Sequence, residues 1–357
     1  MIKRQFATAG IAAVLCLWGT VTFAAVPAKT APGLNPGVDL EKHPTDGKTP
    51  IEVSVGMYIT NLVSIDETQE RFEVGGYLLG RWVDPRLIPK PSVRDRIPAV
   101  RDYELSQLWT PAIEGANTIS HKRNSYTLQA DRDGVVTYIE RFDAVLSNPY
   151  NLRKFPFDIQ VLQFEYEPFL SSASDIRFAE KPLGPTEISL DRHLELANWR
   201  IQDVRYTAAR VRRQGPAPEM SEALFQVKIK RRAGFYVLKI LLPVVLITLI
   251  PMVVFWIDPK EFDWILKVPL TMLLSLVALQ FAVARDLPRL GYVTFLDAVF
   301  IGSFVFFFLQ ILEITAAYVM QTGRWRREAL RLHTAGRWMY PLVYFLFWVI
   351  LIVAFLD

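Results

Sequence analysis

Lys267, Thr271, Leu274, Ala278, Phe281 and Arg285 follow one another in alternating steps of four and three residues. At 3.6 residues per turn such steps return to one face of a helix. Asp263 stands a turn ahead of them on the same stripe. The segment is otherwise mostly apolar, so a Lys at one end and an Arg at the other would be costly facing lipid and tolerable facing water. The chemistry on offer is that of ion passage: charges that attract or repel ions, a hydroxyl, and apolar side chains that close a narrow passage by excluding water. Two plainer readings stand beside it, ordinary helix packing for Leu274 and Phe281 and snorkelling of Lys267 to the membrane interface.

Other chemistry finds little support. The only cysteine, Cys16, lies in the first 25 residues, and His43, His121, His193 and His333 are scattered without ligand spacing and read as surface or capping residues. There is no nucleophile and base in a recognisable pattern and no Gly-rich phosphate loop. The chain is expected not to be an enzyme and to need neither cofactor nor metal. The net charge of +4 is no nucleic-acid signal. Much of the excess sits in residues 321–338, where Arg324, Arg326, Arg327, Arg331 and Arg337 face a single Glu328.

Four apolar stretches must carry the stripe and its neighbours. They are expected at 235–257, 264–284, 295–320 and 339–356, each near the ~20 residues that cross a bilayer. Pro243 and Pro251 should kink the first. Residues 1–25 read as a secretory signal, with Met-Ile-Lys-Arg, an apolar run and small residues at a cleavage site. Residues 26–50 read as a mobile leader. From 51 to 232, short runs of alternating apolar residues, such as Ile51-Glu52-Val53-Ser54-Val55 and Phe225-Gln226-Val227-Lys228-Ile229, are parted by turn clusters such as Asp131-Arg132-Asp133-Gly134. That pattern predicts an immunoglobulin-like all-β sandwich of about ten strands. A four-helix transmembrane domain over 233–357 follows it. The signal and the Arg-rich loop between the third and fourth spans place the sandwich outside and that loop inside.

Several segments resemble the pentameric ligand-gated ion channels, the Cys-loop receptor superfamily, and especially its bacterial members. Phe155-Pro156-Phe157-Asp158-Ile159-Gln160 is similar to the signature loop, with Asn148 and Leu162 where animal receptors have the two bridging cysteines. Trp82-Val83-Asp84-Pro85-Arg86-Leu87, Leu108-Trp109-Thr110-Pro111, Asp133-Gly134-Val135-Val136, Arg231-Arg232 and Asp286-Leu287-Pro288 stand in the family's order. Glu167-Pro168-Phe169 and Leu287-Pro288-Arg289-Leu290 look most like the amine-gated bacterial type.

The resemblance implies a homopentamer around a central pore in a bacterial inner (plasma) membrane, with a multi-pass anchor and a periplasmic outer domain. Its partners would be permeant ions, membrane lipid and a small-molecule agonist or a proton, with no nucleic acid. Asp263, Lys267, Thr271, Leu274, Ala278, Phe281 and Arg285 would line the pore. Asp263 favours cations and Lys267 anions, so selectivity stays open. The agonist site between subunits would use Trp109, Glu114, Glu167, Phe169 and Tyr206 of one copy and Tyr77 of the next, although Trp109 also reads as core. Arg210, Arg212 and Arg213 near the third loop depart from amine-binding relatives and leave an anionic or acid stimulus open. Asp66, Glu67, Asp158, Arg231 and Pro288 would couple the two domains. The alternative is a membrane-anchored periplasmic sensor that does not conduct.

Overall fold

The computed structural model describes residues 39–45, 49–92, 94–169, 171–183, 189–190, 198–212, 219–258, 261–284, 289–323 and 325–356. The expected signal segment, most of the leader, His193, Arg213, Arg285 and Pro288 lie outside the described residues.

The first domain is a sandwich of two sheets. Strands β1 (Ile51–Asp66), β2 (Arg71–Val83), β3 (Val100–Asp102), β5 (Thr118–Asp131), β6 (Val135–Ser147), β8 (Ile176–Phe178) and β9 (Ser189–Leu190) form the larger sheet, in which β3, β5, β6, β2, β1 and β8 run in that order and β9 also pairs with β1. The smaller sheet runs β10 (Trp199–Val211), β11 (Met220–Arg231), β7 (Ile159–Pro168) and β4 (Ile113–Gly115). The sandwich is not wholly antiparallel, because β8 and β9 pair with β1 in parallel. Alternation explains the core: Val53, Val55, Met57, Phe72, Val74, Leu78 and Trp82 point inward and meet Phe164, Phe225, Val227 and Ile229 of the other sheet. Phe72 and Phe164 meet edge to face at 5.2 Å.

The expected turn at residues 131–134 closes the β5–β6 hairpin. Asp131 Oδ1 accepts the N–H groups of Asp133 and Val135, both at 2.9 Å. Gly134 has φ +76°, and a Cβ there would stand 2.7 Å from the carbonyl oxygen of Asp84. Only glycine fits both demands. Asp84 itself is fully buried and caps the turn Pro85–Leu87 through the N–H of Arg86. Arg86 in turn donates to the carbonyls of Asp39 and Lys42 at 2.9 and 2.7 Å. Residues 39–45, expected within a mobile leader, are therefore held against the sandwich.

Four helices follow: α1 (Gly234–Trp256), α2 (Phe262–Val283), α3 (Phe295–Thr322) and α4 (Arg326–Leu356). Each is long and apolar enough to cross a membrane. Helix α1 is irregular, with a π turn at Val237–Leu241 and a tight 3₁₀ stretch at Ile250–Trp256 that begins beside Pro251. A capping box starts α3: Thr294 Oγ1 accepts the Asp297 N–H at 3.1 Å and Asp297 Oδ2 accepts the Thr294 N–H at 3.0 Å. The fourth helix differs from expectation, since it begins at Arg326 rather than near 339. Arginines are good helix formers, and the segment expected as a loop is the first turns of α4.

Helix α3 is the most enclosed. Helices α2 and α4 each keep an open side, whereas more of α3 is buried against its neighbours. The two open sides differ in chemistry. That of α4 from Leu342 to Val353 is apolar throughout, with Leu342, Phe345, Ile350 and Val353 exposed, as lipid contact requires. That of α2 mixes charge, hydroxyl and apolar groups.

Candidate functional site

Asp263, Lys267, Thr271, Leu274, Ala278 and Phe281 are all exposed on α2, with Leu274 at 70% and Phe281 at 71%. At about 100° per residue they span a narrow stripe, and the buried Ile265, Pro269, Leu276 and Val283 fall on the opposite face. Leu276 packs into the core cluster shared with α3, and Ile265 meets Val254 of α1 and Ile314 of α3. Pro269 is accommodated on this packed side without ending the helix. Thr271 Oγ1 donates to the carbonyl of Lys267 at 2.8 Å, which commits its proton to the helix. Its oxygen lone pairs are left for whatever the stripe faces.

At the junction of the two domains, Arg231 closes a buried cluster. Its Nε and Nη2 bind Asp158 Oδ1 and Oδ2 at 2.7 and 3.1 Å, and Nη1 reaches Glu67 Oε1 at 2.8 Å. Asp158 is 1% exposed and Arg231 5%. The guanidinium lies 4.2 Å over the Trp199 ring and 4.8 Å over Phe155, with Tyr236 of α1 at 5.9 Å. Burial pulls the guanidinium pKa down, but Asp158 and Glu67 outweigh it and hold it above its ordinary value. Arg231 stays charged at any working pH.

The signature loop carries this cluster onto the helices. Gln160 Nε2 donates to Asp158 Oδ2 at 2.6 Å and to the Asn151 carbonyl at 2.8 Å, fixing the loop on itself. The Tyr292 hydroxyl oxygen accepts the Leu152 N–H at 3.0 Å, and the Phe295 N–H donates to the Arg153 carbonyl at 2.8 Å. Phe157 meets Phe295 edge to face at 5.6 Å. Asp66, expected in the cluster, stands apart from it: it accepts the Gln69 N–H at 3.0 Å and lies 3.9 Å from Arg71. The tight β1–β2 turn sends Glu67 towards Arg231 and engages Asp66 locally. The aromatic surround of Arg231 had no signal in the sequence, because Phe155, Trp199 and Tyr236 come from three separate segments.

The residues expected at an agonist site divide. Glu114 of β4 and Glu167 of β7 are cross-strand partners, the first exposed and the second buried, and Phe169 just beyond β7 is 61% exposed. Trp109 is half-buried between His43 at 4.8 Å and Trp82 at 6.3 Å, so its ring serves the packing of the sandwich. Tyr77 lies on β2, half-buried beside Tyr58 and away from the small sheet. Tyr206 corrects the expectation of a ligand contact. Register sets it opposite Phe225 inside the sandwich, 8% exposed, with its hydroxyl bonded to the Ala179 carbonyl at 2.8 Å and its pKa pushed up to about 12 by burial.

Two histidines expected at the surface are engaged. His121 Nε2 lies 2.5 Å from Glu140 Oε1, and Arg123 and Tyr138 hold the other carboxylate oxygen. Burial raises the Glu140 pKa, but its hydrogen bonds and Arg123 outweigh this and leave it below the ordinary value. His333 is buried between helices.

Residues 35–233 match the model of the neurotransmitter-gated ion-channel ligand binding domain. The chain is 28% identical over 302 residues to a proton-gated ion channel of Gloeobacter violaceus, covering 83% of this chain and 81% of that protein. It is also 28% identical over 289 residues to the glycine receptor subunit beta of Homo sapiens and of Rattus norvegicus, covering 78% of this chain but 57% of each subunit. The domain match spans more than half of the sequence and covers the β-sandwich, and four membrane-length helices follow it. The chain belongs to the neurotransmitter-gated ion-channel family, the pentameric ligand-gated channels of the Cys-loop receptor superfamily.

Proposed function

We propose that five identical copies assemble around an axis lined by the open stripe of α2, in a bacterial inner membrane with the sandwich in the periplasm. The contrast between the open faces of α2 and α4 supports this reading most strongly. An apolar face suits lipid, and a face bearing Asp263, Lys267 and Thr271 suits water. Each stripe position then becomes a ring. Leu274 and Phe281 form apolar constrictions that hold the pore shut by dewetting, and Arg285 and Asp263 bound it at its two ends.

The stimulus acts on the outer domain between copies, where Glu114, Glu167 and Phe169 of one subunit meet Tyr77 of the next. Arg210 and Arg212 on the approach favour a proton or a small anionic molecule over an amine. Of the relatives, one is named a proton-gated channel and one a glycine receptor subunit, and glycine carries a carboxylate as well as an ammonium. Binding shifts the outer domain, and the Arg231–Asp158–Glu67 cluster and the signature loop pass that shift to α1 and α3, with Pro288 in the connection that follows α2. Such transmission requires different contacts at the junction in the closed and open states.

Recording from purified protein in planar bilayers, with pH varied and small carboxylates and amines added in turn, tests the proposal. Stimulus-dependent unitary currents are expected. A protein that binds these compounds but never conducts would instead be the membrane-anchored sensor.

A further inference from the structure

The membrane bundle holds a buried acid and a buried imidazole for which pore and coupling have no use. Glu313 of α3 is 8% exposed and His333 of α4 is 2% exposed. His333 Nδ1 lies 3.4 Å from Glu313 Oε1, and Nε2 lies 3.1 Å from the carbonyl oxygen of Ile257, just past the end of α1. One imidazole therefore touches three helices.

The hydrogen inventory of this bridge is constrained. A carbonyl only accepts, so Nε2 must carry a hydrogen to bond Ile257. Nδ1 then carries one only in the imidazolium. If the ring is neutral, Nδ1 is a lone pair, and the contact with Glu313 needs the proton of the carboxylic acid. Either arrangement holds one proton more than neutral imidazole beside carboxylate. Without that proton a lone pair faces an anion in the low-dielectric interior, where an uncompensated charge is costly. Among the described residues Glu313 Oε2 has no hydrogen-bond partner, so none of them holds the acid in place as a second donor.

The surroundings make the contact mechanically relevant. Gly336, three residues along α4, lets the Phe255 ring in so closely that a Cβ would stand 2.6 Å from it, and that ring is 5.5 Å from His333. The polar and charged neighbours do not replace the shared proton. Arg337 of α4 spends its Nε on the Phe255 carbonyl at 2.9 Å, and Gln310 of α3 spends its amide on the Pro251 carbonyl at 2.8 Å. Tyr340 of α4 is within electrostatic reach of Glu313, Asp258 follows Ile257 in the chain, and the α2 residues packed around Ile314, next to Glu313 in sequence, are the apolar Phe262, Ile265 and Val268.

We propose that Glu313 and His333 form a proton-binding site that fastens α4 to α1 and α3 and frees it when the shared proton leaves. The fastening is a property of the folded bundle and holds whatever opens the pore.

The test uses full-length protein in lipid nanodiscs, with Cys16→Ser and a spin label on Thr334→Cys, an exposed position beside His333. As pH rises from about 6 to about 10, the mobile component of the label should grow, and it should shrink again on return to low pH. Glu313→Gln should abolish the growth while keeping the helices together, because the substituted amide can donate to Nδ1 at every pH. His333→Gln, which keeps a donor for the Ile257 carbonyl and cannot titrate, should abolish it too. An equal rise in either variant, or no rise in the parent, overturns the proposal. Since no current is read, this outcome is independent of whether the protein conducts.

Discussion

The backbone N–H of Phe295 donates to the carbonyl of Arg153 at 2.8 Å, so the first turn of α3 hangs from the signature loop of the sandwich. Arg153 also places its guanidinium 5.4 Å over the Tyr292 ring, and Tyr292 accepts the Leu152 N–H. The two domains thus meet through fixed backbone contacts backed by the Arg231 cluster. A shift of one against the other must break or exchange these bonds, as a two-state device requires.

Asp158→Asn should show how much the cluster matters. Removing one charge of a buried pair costs about 3 to 5 kcal/mol, because the partner stays buried. Glu67 remains to compensate part of this, so the lower end is expected. Chemical denaturation of the parent, Asp158→Asn, Glu67→Gln and the double variant gives the coupling energy. Additive effects would show that Asp158 and Glu67 do not act through a shared Arg231.

Leu274→Ser should shift the closed–open balance towards open, because a polar ring admits water at lower cost. The smallest effect expected is about 1.4 kcal/mol, a tenfold change in that ratio. It would be read as resting leak or as response to a weaker stimulus. Unchanged currents would turn Leu274 away from the axis.

Glu140→Gln should destabilise the sandwich at neutral pH by about 1.5 to 3 kcal/mol, the range for hydrogen bonds to a charged group. The Glu140 pKa lies below its ordinary value, so the stability it contributes is present above the carboxylate range and is lost as pH falls through the lowered folded value. Thermal midpoints of parent and variant should therefore converge below about pH 4. A constant gap across that range would rule out a charged Glu140 as the source.

Much of this was legible in the sequence because period and turn chemistry are local. The alternation in Ile51–Asp66 and the Asp-Arg-Asp-Gly turn announced strands and a hairpin, and the three-and-four spacing of α2 announced its open stripe. Burial of the stripe's opposite face by Leu276 and Val283 could not be read, since it depends on where α1 and α3 lie. Tyr206 was misjudged for a similar reason: one position along β10 decides between ligand and core, and the register with β11 sets it inside. Asp66 and Glu67 are neighbours in sequence, and the geometry of one turn separates their partners. The start of α4 was missed because an Arg-rich segment suits a loop and a helix equally on composition.

Lys267→Gln should move the reversal potential under a salt gradient towards cation preference. A ring of ammoniums acts over the Debye length of ~10 Å at 0.1 M salt, which a narrow pore does not exceed. An unchanged reversal potential would place Lys267 at the interface and leave Asp263 to set selectivity.

The central claim, that the open stripe of α2 lines a water-filled path shared between copies, is tested most directly by cysteine substitution along α2 under bilayer recording. Thr271→Cys, Leu274→Cys, Ala278→Cys and Phe281→Cys should each let a charged, water-soluble thiol reagent change the current during activation, and Ile265→Cys and Leu276→Cys should not. Modification of Ile265→Cys and Leu276→Cys with silence at Leu274→Cys and Ala278→Cys would contradict it.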